Sequence, residues 1–209
     1  MNSAKGNLAI KITVLFEIIS ILTAMMNIAA GQWRLVFLSL LAIITLTFPY
    51  IAAYIAEKNR IMLPRNFNLA ATLFIFSAQY LGEIMGFYEK FWWWDLLLHG
   101  IFGIFGFITA IYLLQSVFIR NSKTTKKLFT FFNAVFAFSF TITLGTLWEM
   151  FEYAGDYFFK THMIDEGLND TVRDLLIKIA VAFITSMIYV FNAHKFTPEY
   201  NQQSKLYHS

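Results

Sequence analysis

Cysteine is absent from these 209 residues, which excludes disulfides, thiolate metal centres and cysteine nucleophiles. Charge is scarce as well: 14% of residues are charged, too few to coat a water-soluble globule of this size. There is no glycine-rich phosphate loop, no His-Glu-x-x-His pair and no Gly-x-Ser-x-Gly elbow, so nucleotide hydrolysis and serine-hydrolase chemistry have no motif to stand on. What fills the chain instead is apolar. Hydrophobic residues make up 58% and aromatics 19%, and the mean hydropathy is +0.57. A hydrocarbon core of about 30 Å needs roughly 20 apolar residues of helix, and such runs recur along most of the sequence.

The runs predict six spans, at 10–30, 34–56, 67–89, 94–119, 128–156 and 171–193. None shows the short alternation of a barrel strand, so the fold class is all-α, a polytopic transmembrane helix bundle. Residues 1–195 form a single domain in this reading and 196–209 a polar tail. Ala29-Ala30-Gly31 after the first span could pass for a signal cleavage site, but Glu17 within the apolar region favours a retained helix. Pro49 should kink the second span, because it removes a backbone donor and crowds the preceding turn. Eleven Lys and Arg fall on the side of the two termini and four on the other, with Lys178 inside the sixth span. The positive-inside rule then makes both termini cytoplasmic and the protein a multi-pass component of the inner or plasma membrane. The basic surplus of +3 is accordingly an orientation signal, and no nucleic-acid partner is expected. Trp33, Tyr88, Trp92, Trp93, Trp94, Trp148, Tyr153 and Tyr157 cluster at the outer ends, where amphipathic rings favour the headgroup zone.

The acids are distributed unevenly. Of 13 Asp and Glu, ten lie at or near the outer ends of spans three to six. Asp95 and His99 are one helical turn apart above a stripe of Gly103, Gly106 and Ala110; Glu149, Glu152 and Asp156 share an arc; Asp170, Asp174 and Lys178 climb one face; Gln79 and Glu83 do the same on the third span. At about 1.5 Å per residue His99 lies about 9 Å below Trp93, and Glu149 about 10 Å below Asp156. Charges at that depth must pair, hold a cation or line a wet cavity. One outward-open cavity walled by Asp95, His99, Glu149, Glu152, Asp156, Asp170 and Asp174 is therefore expected. Glu89, Lys90, His162, Asp165 and Glu166 are read as solvated surface, and His194 and His208 as tail residues.

Carboxylates with an imidazole suit Mg, Mn, Ca or Zn. In the metal-enzyme reading His99, Glu149, Glu152, Asp156, Asp170 and Asp174 hold the ion, and Asp95 orients His99 or acts as base. Asp95, His99, Glu149 and Glu152 then carry the chemistry, and Arg173 and Lys178 hold a substrate anion. The substrate would be a phosphate-bearing lipid or envelope precursor at the outer leaflet, cleaved or transferred, with membrane lipids as the partners. Two other readings stand beside it: cation or proton transport or sensing, with Glu17 and Glu83 extending a path inward, and a non-catalytic membrane interaction module without a cofactor.

Three motifs occur in order on successive helices: Trp93-Trp94-Asp95-Leu-Leu-Leu-His99-Gly100, then Leu147-Trp148-Glu149-Met-Phe-Glu152-Tyr153, then Asp170-Thr-Val-Arg-Asp174-Leu-Leu. In that order they resemble the YjdF-like family of bacterial inner-membrane proteins and, more distantly, the VanZ-like proteins associated with glycopeptide resistance. The resemblance covers roughly residues 67–195. It implies a small multi-pass membrane protein, supports attention to Asp95, His99, Glu149, Glu152, Asp170 and Asp174, and implies a role at the cell envelope without supplying a reaction. A small Gly-Ala pair usually follows the last motif. Lys178, Ala180 and Ala182 stand there instead, a departure that weakens the expectation of close packing by the sixth span.

Overall fold

The computed structural model describes residues 3–117, 125–159 and 167–192, and every regular element among them is helical. The order is α1 (Ser3–Ala29), α2 (Trp33–Leu46), α3 (Phe48–Lys58), α4 (Phe67–Ile75), a π-helical segment (Phe76–Ile84), α5 (Phe87–Lys90), α6 (Trp94–Val117), α7 (Lys126–Phe159) and α8 (Leu168–Phe191). His162, Asp165, Glu166, His194, His208 and the 196–209 tail lie outside the described residues.

Five stretches are long and apolar enough to cross a bilayer: Asn7–Ala29, Trp33–Lys58, Trp94–Val117, Lys126–Phe158 and Leu168–Phe191. The second is interrupted at Thr47, where α2 stops and α3 restarts with Pro49 in its first turn, the position where proline's missing N–H costs least. The stretch expected as the third span is not one regular helix. α4 gives way to the π-helical segment, whose wider winding turns Gln79, Gly82 and Glu83 to directions that a 3.6-residue period does not predict.

The helices sort into two groups. α1 packs along α2, with α4 and the π-helical segment against them; α6, α7 and α8 pack pairwise, and α5 and the π-helical segment join the groups through α6. The distribution of polarity is inverted relative to a soluble protein. Ser20, Ser39, Thr72 and Thr141 are fully buried, whereas Met26, Trp33, Phe132, Met150 and Phe183 are exposed. Small residues let backbones approach, and a buried hydroxyl survives in lipid by bonding within its own helix. Ser39 Oγ donates to Leu35 O at 2.7 Å and Thr141 Oγ1 to Ala137 O at 2.7 Å. Between helices of the first group, Thr13 Oγ1 meets Tyr50 OH at 2.8 Å and Thr72 Oγ1 at 3.0 Å. Thr45 Oγ1 donates to Gln79 Oε1 at 2.7 Å.

In the second group Phe107, Ile111, Leu114, Ala134, Ala137 and Tyr189 form an apolar core. α8 packs closely despite the departure noted above: Ala182 is fully buried, and a Cβ at Gly103 would stand 3.3 Å from the carbonyl oxygen of Lys178. That approach of α6 to α8 brings the residues one turn nearer their acidic ends face to face.

Candidate functional site

The acidic end of the α6–α7–α8 group begins at the first turn of α6. Asp95 occupies that turn, where the positive end of the helix favours a carboxylate, and His99 follows one turn on. Asp174 stands opposite on α8. His99 Nε2 lies 3.0 Å from Asp95 Oδ1 and 3.4 Å from Asp174 Oδ2, and both His99 and Asp174 are buried. The ligand atoms of these three residues all fall within 4.8 Å of one another.

Each carboxylate uses one oxygen on the imidazole. The others, Asp95 Oδ2 and Asp174 Oδ1, are buried without a hydrogen-bond partner. A buried acceptor left unmade costs about 1–3 kcal/mol, more when charged, and here either a proton shared between the two facing carboxylates or a bound cation would meet the need. Around a cation held at about 2.1 Å, ligand atoms stand roughly 3–4 Å apart, so this group needs only a small contraction to fit one. One imidazole nitrogen with carboxylate oxygens is a donor set that such ions accept.

Glu149 and Lys178 form the next layer. Both are buried, at 4% and 1% exposure, and Lys178 Nζ donates to Glu149 Oε1. Gly145 makes this possible: a Cβ there would stand 3.0 Å from Lys178 Cδ, so its absence lets the lysine stem lie along α7. Glu152 Oε1 accepts from Trp148 Nε1 at 2.7 Å, and the charges of Glu149, His99 and Lys178 act on Glu152. At the rim, Arg173 is bonded to Asp170. Asp156 is half-buried two turns beyond Glu149 and has an interaction of its own.

The seven residues expected around one cavity are therefore graded rather than equivalent. Asp95, His99 and Asp174 converge. Glu149 and Glu152 adjoin them, each with its own partner, and Asp156 and Asp170 stand outside the converging group. Glu89 and Lys90 are exposed, and Lys90 Nζ bonds Met85 O at 2.6 Å. Glu83, from the π-helical segment, has its side chain 6% exposed and lies 3.7 Å from Arg34. Two members escaped the sequence reading because both were assigned to an interfacial belt. Trp148 sits one turn from Glu152, a spacing that could have marked it. Tyr88 returns over Gly82, beside the start of α6, only through a chain reversal, which leaves no periodic trace.

Helices of membrane-spanning length around a buried Asp/His cluster define a multi-pass membrane protein, and the comparisons agree. The chain belongs to the family described as predicted membrane protein (DUF2238), whose model matches residues 11–195. An uncharacterized protein from Thermotoga maritima is 24% identical over 145 residues, which cover 67% of this chain and 68% of the relative. No solved structure matches.

Proposed function

We propose that Asp95, His99 and Asp174 bind a divalent cation and, through it, a phosphate-bearing lipid or envelope precursor, with the protein acting as a metal-dependent hydrolase or transferase at the outer leaflet. The pair of partnerless carboxylate oxygens beside one imidazole carries this reading. The ion is of the Mg, Mn, Ca or Zn class, and once bound it would supply Lewis acidity and an activated water. Asp95 orients His99 from the adjacent turn. Glu149 and Glu152 line the adjoining wall, and Arg173 stands at the rim beside Asp170, where an anionic headgroup would arrive. Lys178 balances Glu149 in place of binding substrate.

The placement that goes with this function is six spans with both termini cytoplasmic, in the inner or plasma membrane, the compartment that the resemblance to YjdF-like proteins also implies. α4 and the π-helical segment together form the third span, residues 1–195 are one domain, and lipids are the partners with no nucleic acid. This orientation puts the acidic end outside, in agreement with the distribution of Lys and Arg.

Elemental analysis of the purified protein and its melting with added Mg, Mn, Ca or Zn test the reading. A ligand bound only by the folded state at a hundred times its Kd stabilises by about 2.7 kcal/mol. Absence of both bound ion and thermal shift overturns it. Cation flux into liposomes would favour transport instead, but the buried Phe107, Ile111 and Leu114 lie across the route inward from His99 through the second group. Unchanged stability and phenotype on Glu149→Gln and His99→Ala would leave a non-catalytic interaction module.

A further inference from the structure

The cation proposed above engages Asp95, His99 and Asp174 but leaves Tyr88 unexplained. After the π-helical segment, Gly86 takes a left-handed conformation (φ 68°) that glycine adopts without strain, and α5 turns back onto the segment. The return lays the Tyr88 ring on Gly82. A Cβ at residue 82 would stand 2.2 Å from Tyr88 Cε2 and 2.6 Å from Cζ, so any side chain there displaces the ring. The seat has a clear consequence. Phe87, the residue before Tyr88, meets Trp94 at the start of α6 with ring centroids 5.0 Å apart, so α5 carries Tyr88 beside the turn of Asp95, and the charges of Glu152, Asp95, Glu83 and Asp174 act on it. The phenol therefore stands beside the acidic end of the α6–α7–α8 group.

An anionic oxygen brought to a cation among carboxylates needs donors, and ionised carboxylates supply none. Lys178 is committed to Glu149, the Trp148 N–H to Glu152 and Arg173 at the rim to Asp170, which leaves the Tyr88 hydroxyl and the N–H of Trp94, buried and partnerless among the described residues. A phenol is an uncharged donor and adds no further charge to the site. We propose that Tyr88 is an anion-binding group of this site: seated on Gly82, its hydroxyl donates to a phosphate oxygen held on the cation at Asp95, His99 and Asp174. The inference rests on the cation reading.

The test uses the full chain in detergent, wild type and Tyr88→Phe, with Gly82→Val as a second variant that keeps the hydroxyl but unseats the ring. Ion content is measured first. Calorimetric titration of the Mn- or Zn-loaded protein follows, with inorganic phosphate in one arm and short-chain phosphatidic acid in the other. Tyr88→Phe is expected to keep the ion stoichiometry and lose about tenfold in phosphate affinity, the effect of one hydrogen bond, and Gly82→Val to do the same. Equal loss in both arms points to phosphate itself; a tighter wild-type interaction with the lipid, lost in the variants, points to a headgroup. Wild-type phosphate affinity in Tyr88→Phe overturns this inference and leaves the cation standing. So does a fall in ion affinity with phosphate unchanged, because the phenol would then be serving the carboxylates. A wild type that binds no ion overturns the cation reading and this inference together.

Discussion

The imidazole Nε2 of His99 stands 3.0 Å from Asp95 Oδ1 and 3.4 Å from Asp174 Oδ2, so a single N–H position serves carboxylates on two helices. Two carboxylates on one nitrogen favour the imidazolium, and a cation that takes this nitrogen from the charged ring must displace its proton. Calorimetry of Zn or Mn binding in buffers of different ionisation enthalpy should show an apparent enthalpy that varies with the buffer. Asp174→Asn, which keeps the shape and removes a charge, should weaken binding by more than about tenfold. A buffer-independent enthalpy would mean that the ion does not displace a proton from a charged His99.

Lys178 and Glu149 are a buried ion pair, and removing one partner strands the other charge. Such single changes typically cost about 3–5 kcal/mol, whereas replacing both with apolar residues of similar volume is often neutral. Lys178→Met and Glu149→Leu should each lower the melting temperature sharply, and the double variant should recover most of the loss. Additive losses would show that the pair interacts little.

The two examples differ in how far the chain announces them. Asp95 and His99 are four residues apart, and helical periodicity alone puts them on one face. Lys178 and Glu149 are 29 residues apart on different helices. Their meeting depends on the register of α7 against α8, set by packing at Gly145 and Gly103, which periodicity does not encode. The helical class and the membrane-length runs follow from hydropathy, and the break near Pro49 follows from proline chemistry. The π-helical segment has no such marker, because one extra residue per turn is chosen by tertiary contacts. Spacing computed at 3.6 residues therefore missed how Gly82 and Glu83 are presented and how Tyr88 returns over them.

Gly106 tests the packing below the site. A Cβ there would stand 3.0 Å from Thr141 Cγ2, with Thr141 fully buried and already bonded to Ala137 O. Gly106→Val should force α6 from α7 and cost about 1–3 kcal/mol, as overpacking does. Gly100→Ala is the control, since its new methyl would meet Val181 Cγ2 at an ordinary 3.9 Å. Equal melting temperatures for the two variants would contradict the tight α6–α7 approach.

Topology turns on α4 and the π-helical segment, Phe67–Ile84, since this stretch decides between five crossings and six. Its 18 residues span at most about 27 Å at 1.5 Å each, slightly short of the hydrocarbon thickness, and π winding shortens it further. The aromatic residues after it offset that deficit by holding its end at the headgroup level, as the exposed Trp92 suggests. The cysteine-free chain permits a direct measurement. Glu57 and Trp92 are both exposed and flank this one segment. With a membrane-impermeant maleimide on intact cells, Trp92→Cys should label and Glu57→Cys should label only after permeabilisation. Labelling of both without permeabilisation would mean that the segment turns back before crossing, and the count would fall to five.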